Sequence, residues 1–125
     1  MKRKSVGYFE GTDSALLSSL ICDGHDTIPI SNGLDGHGRY IRLINEESRL
    51  DLLIGYLHKI YSPEVAETRF EDIAHICTTY GMPFLVLVPK ALHKCAHEKL
   101  NEPHDLFQFV DPSDALAAAR KILKV

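Results

Sequence analysis

Residues 29–40 read PISNGLDGHGRY, and the types collected there could serve chemistry. Gly33, Gly36 and Gly38 permit backbone conformations that come close to a ligand. Ser31, Asn32, Asp35 and His37 add hydroxyl, amide, carboxylate and imidazole groups between them. A second string, Gly11-Thr12-Asp13, stands at an expected helix start, where free N–H groups can hold a phosphate or carboxylate. Neither string matches G-x-G-x-x-G or G-x-x-x-x-G-K-[ST], so a plain glycine-rich turn stays open beside the binding reading. His58 and Lys59 form a cationic pair able to hold an anion, and His58 could also act as general acid or base. The alternative is a strand-end histidine that bonds to nearby backbone. Lys90 adds a further cation after an apolar strand.

Other candidates carry less. His93 and His97 stand one helical turn apart, a spacing that can ligate metal. Cys95 points nearly the opposite way round that helix, and Lys94 would repel a cation. They read as solvated helix histidines, so neither a metal nor a cofactor is expected. Cys22, Cys77 and Cys95 are odd in number and form no C-x-x-C. Such usage suits a reducing cytoplasm better than a disulfide framework, with Cys77 and Cys95 expected as core thiols.

The elements that must position these groups alternate in period. Strands are expected at 5–10, 26–30, 49–57, 83–89 and 106–110. Helices are expected at 12–22, 38–45, 63–80, 90–102 and 111–125. Thr12 is a plausible N-cap for the first helix, Gly81 a C′ stop for the third, and Asp111 or Ser113 a cap for the last. Strands alternating with helices imply a parallel sheet covered on both faces, and the apolar third and fourth strands agree. The expected fold is therefore α/β: a three-layer αβα sandwich with a five-stranded parallel sheet in the flavodoxin-like order 2-1-3-4-5. That order puts Pro29, which cannot donate to a ladder, on an edge strand. All 125 residues fit one domain.

Such sheets bind ligands beyond the carboxyl ends of their strands. That edge should carry Glu10 to Asp13, the 31–38 loop, His58 to Ser62, Lys90 and His93, and Asp111, Ser113 and Asp114. The opposite edge, with His25, 45–48 and 101–104, is polar too. The glycines Gly11, Gly33, Gly36 and Gly38 set the first edge apart.

The formal charge of −3 disfavours non-specific nucleic-acid binding, which depends on neutralising phosphates. The basic MKRK start reads as a solvated end. The apolar run ALLSSLIC is short and broken by serines, so no membrane span or signal segment is expected. A homodimer is open, with nothing in the sequence that requires it.

Glu71 closes a T-x-x-E string, TRFE, that matches a capping box. SPEV offers an earlier helix start, with Ser62 as cap and Pro63 at the first helical position, which leaves Glu71 in mid-helix. The stretch LDLLIGYL, a loop, then TRFEDIAHICTTYGMPFLVLVP resembles the nucleoside 2-deoxyribosyltransferase-like family. The likeness covers a third to a half of the chain. Asp51 matches that family's strand aspartate, and Gly81-Met82-Pro83 its G-K-P turn, with Met82 in place of lysine. The resemblance implies Glu71 as a carboxylate nucleophile on an N-glycosidic bond, with Asp13 or Asp35 handling the base.

The leading expectation is a domain that binds a small molecule, a nucleotide or phosphorylated metabolite, at this edge. A nucleoside N-glycosidase or deoxyribosyltransferase-like enzyme is the second. The third is a regulatory or structural interaction module without a ligand.

Overall fold

The computed structural model describes residues 3–31, 39–41, 47, 49–60, 66–100 and 106–123. Six strands form the sheet: β1 (Ser5–Tyr8), β2 (Asp26–Ser31), β3 (Arg39–Tyr40), β4 (Leu52–Tyr56), β5 (Phe84–Leu87) and β6 (Phe107–Val110). Their order is β3-β2-β1-β4-β5-β6, and every neighbouring pair is parallel. The five longer strands therefore stand in the expected flavodoxin-like order, with β3 added outside β2.

β3 corrects the helix expected over 38–45, since Arg39 and Tyr40 are extended and pair with Ile30 and Ser31. The pairing begins just past Pro29, so the proline's missing N–H leaves it intact.

Side chains alternate along the longer strands, and both faces of the sheet are covered. Val6, Leu52, Ile54, Leu85 and Leu87 pack against α1 (Ser14–Cys22) and α5 (Ala115–Leu123). Leu53, Phe84 and Val86 point the other way, against Ile73 and Cys77 of α3 (Ala66–Tyr80) and Ala96 of α4 (His93–Leu100). The second face holds the larger rings. Phe9 stacks on Phe84 with centroids 5.6 Å apart, and Gly55 makes the room: a Cβ there would stand 2.8 Å from a Phe9 ring carbon. Cys77 lies in this layer, and burial pushes its thiol up to about 12.

The ends of the elements have local causes. Tyr80 ends α3 because Gly81 turns to φ +63° and the Met82 N–H returns to the Cys77 carbonyl. At the start of α1 the cap is Asp13, whose carboxylate accepts the Ala15 N–H at 3.4 Å. Thr12, the expected cap, instead turns its hydroxyl back to the Phe9 carbonyl at 2.7 Å. The third strand stops at Tyr56, short of the expected 57. Leu57 opens a single helical turn, α2 (Leu57–Ile60), so His58 and Lys59 are helical and not strand-end residues.

Candidate functional site

At the N-terminal edge of the sheet, polar groups bond between segments distant in sequence. Asp51 accepts the Ser5 N–H at 2.8 Å, and Arg3 pairs with Asp26 at 2.6 Å. The buried His25 accepts the Lys4 N–H at 3.3 Å. Arg120 of α5 grips Asp23, the C-cap of α1, through two bonds of 2.8 and 3.2 Å. That pairing, led by the Arg120 hydrogen bond, holds the Asp23 carboxyl below the usual carboxylate range.

The same two helices part at the other edge. Between the start of α1 and the start of α5 lies a cleft of about 250 Å³. Leu16, Leu87, Leu116 and the Tyr56 ring give it apolar walls, and Asp13, Ser19 and Ser113 bring the polar groups. Among the described residues no hydrogen bond crosses from the α1 side to the α5 side here. The cleft sits above β4 and β5, beyond the carboxyl ends of the strands, where open α/β sheets take ligands.

Each wall is organised by its own aspartate. Asp13 caps α1. Asp111 caps the 3-10 turn Pro112–Asp114 that leads into α5. Its carboxylate accepts the Ser113 N–H at 3.0 Å, the Ser113 hydroxyl at 2.8 Å and the Lys90 N–H at 3.0 Å. The backbone bond from Ser113, followed by that from Lys90, holds the Asp111 carboxyl at about 2. Asp111 thereby ties the segment after β5 to the segment after β6 and fixes where Ser113 stands.

The residues singled out in the sequence divide into three groups. Asp13 lines the cleft, and His58 does not, its exposed ring standing 5.8 Å from that of the lining Tyr56. Gly11, Thr12 and Lys59 do not line it. Gly11 adopts φ +87°, and the Lys59 stem passes 3.7 Å from where its Cβ would be. Lys59 pairs with Glu10 at 3.3 Å. Ser31 is buried at the end of β2, and Lys90 is exposed with its N–H on Asp111.

Asn32, Gly33, Asp35, Gly36, His37 and Gly38 lie outside the described residues. Glu71 falls inside α3, as the earlier helix start implied, with its side chain outside the description. α3 covers the face of the sheet opposite to α1 and α5, so Glu71 and the cleft belong to different layers. Asp51, the other residue carrying the family resemblance, holds the Ser5 backbone at the far edge.

His93 is half-buried, and His97 is exposed with one side of its ring against Phe109. His93 Nε2 donates to the Val88 carbonyl at 2.8 Å, and the His97 ring lies 4.3 Å from Phe109. Among the described residues no group of three or more His, Cys, Asp or Glu could hold a metal. Cys95, expected in the core, is exposed because its side of α4 faces away from the sheet. No helix among the described residues is long and apolar enough to cross a membrane.

No family model and no curated protein matches the chain. The case for function therefore rests on the cleft itself. Tyr56, Ser19, Leu87 and Leu116 line it without having been singled out in the sequence. Tyr56 had a findable signal. It shares the phase of Leu52 and Ile54, towards α1 and α5, and it is the last residue of its strand, at the ligand-binding edge.

Proposed function

We propose that this protein binds a small molecule in the cleft between α1 and α5. The observation that carries the reading is the cleft's position and make-up together: apolar walls, a few convergent polar groups, and a place beyond the strand ends. Its volume of about 250 Å³ falls below the usual range of drug-sized pockets, roughly 300–1,000 Å³. The reading is therefore for a small metabolite, with one ring or a short chain. A bulky nucleotide would extend past the walls. A phosphate has less support here than the sequence suggested, because Lys59 already faces Glu10 and both helix starts carry their own aspartate.

A thermal-shift screen with amines, alcohols, nucleosides, sugars and phosphorylated compounds tests this. A ligand that binds only the folded state at a hundred times its Kd adds about 2.7 kcal/mol, a shift of several degrees. The expected outcome is a reproducible rise with at least one class. A flat response to every class at millimolar concentration would overturn the reading and favour an interaction module without a ligand.

A further inference from the structure

The hydrogen bonds around the cleft show which kind of group it can receive. Ser113 sends its hydroxyl hydrogen to Asp111 at 2.8 Å. Ser19 sends its hydroxyl hydrogen to the Ala15 carbonyl at 2.9 Å. Both serines therefore present lone pairs to anything entering between the helices. Asp13 uses one oxygen for the long 3.4 Å bond from Ala15, and a carboxylate can only accept. On the α5 side, the Ser113 and Lys90 N–H groups that could have met an anion already face Asp111.

Among the described lining side chains, with both serine hydrogens engaged, only the Tyr56 hydroxyl is left to donate. The described side chains of the rim are thus acceptors with one carboxylate, set over an apolar floor with an aromatic wall. An ammonium group supplies three donors and a positive charge, and it is drawn both to a carboxylate and to the face of a tyrosine ring. A phosphate or carboxylate would set its lone pairs against those of the two serines and its negative charge against Asp13.

We infer that the cleft selects a small primary amine on an apolar or aromatic body over an anion of the same size. This rests on the cleft being the binding site, and it names the ligand class for that site. The amine's nitrogen meets Asp13 and Ser113, and its body lies along Leu16, Leu87 and Tyr56.

Three compounds sharing one ring isolate the point: benzylamine, benzyl alcohol and benzyl phosphate. Each is titrated into the full chain and followed by two-dimensional amide NMR. The expected result is benzylamine binding about tenfold more tightly than benzyl phosphate, with benzyl alcohol between them, and the perturbed amides at Ala15, Leu16, Tyr56 and Ser113. Asp13→Asn keeps a capping side chain of the same shape, so the helix start is retained. In that variant the benzylamine affinity should fall to that of benzyl alcohol, with Tm nearly unchanged. Benzyl phosphate binding as well as or better than benzylamine would overturn the amine assignment while leaving a small-molecule site in place. No benzylamine binding at the cleft would overturn it too. Only silence across the wider screen as well would remove the site itself.

Discussion

The two edges of the sheet are both polar, and they use their polar groups in opposite ways. At the N-terminal edge the bonds are long in sequence: Ser5 to Asp51, Arg3 to Asp26, Lys4 to His25, Asp23 to Arg120. They join elements to one another. Around the cleft at the C-terminal edge the bonds are mostly local, with Asp13 serving Ala15, Ser19 serving Ala15, and Asp111 serving Ser113, and the one from Lys90 to Asp111 stays within the α5 wall. They finish helix starts and leave the two walls unjoined. α1 and α5 are thus clasped at one end by Asp23 and Arg120 and open at the other. A polar edge alone does not mark a site. Polar groups that stop short of bridging to the facing wall do.

This contrast can be broken most strongly at the closed edge. Asp51→Ala leaves the half-buried Ser5 N–H without its carboxylate, and stability should drop by about 1–3 kcal/mol in urea denaturation. Benzylamine affinity in the surviving folded protein should not change. A loss of affinity equal to that of Asp13→Asn would mean that the two edges are not independent.

A second effect belongs to the open edge. Asp111 is held at about 2 when folded, against an ordinary value of 3.8. Its contribution to stability is therefore fully present above about pH 4 and is lost as pH falls through about 2. Between those values the wild-type protein should lose more stability than Asp111→Asn does. Equal pH slopes in urea titrations would contradict the three hydrogen bonds assigned to that carboxylate.

Cysteine reactivity separates interior from surface. Iodoacetamide should modify the exposed Cys22 and Cys95 in the folded protein and reach Cys77 only after unfolding. Mass spectrometry of the folded sample should show two labels, and early labelling of Cys77 would refute the packing given for α3. The smallest effect is expected from Arg120→Ala. Exposed ion pairs contribute little, so Tm should move by less than for Asp51→Ala and fall less at high salt.

Much of the fold was legible in the sequence because long apolar runs leave few choices. PFLVLVP is buried on both sides and reads as a central strand, and Gly81 and Asp111 mark element ends by their chemistry. β3 was not legible, since two residues carry no period. The turn at Leu57–Ile60 was hidden because Leu57 and Ile60 are apolar and prolong the strand pattern of β4. The site was legible as an edge and not as a cleft. Strand count places Asp13, Asp111 and Ser113 at the correct end. Which of them face one another depends on α1 and α5 sharing a layer, and neither helix announces that in its own sequence. Whether a serine offers its hydrogen or its lone pairs depends on a partner fixed only in three dimensions.

The central claim is that the cleft between α1 and α5 receives a small ligand. Amide NMR of the uniformly labelled protein with the best compound from the thermal screen tests it most directly. Saturable shifts centred on Asp13, Leu16, Ser19, Tyr56, Leu87 and Ser113 are the predicted result. Saturable shifts confined to α3 and α4, with these six amides unmoved, would contradict it.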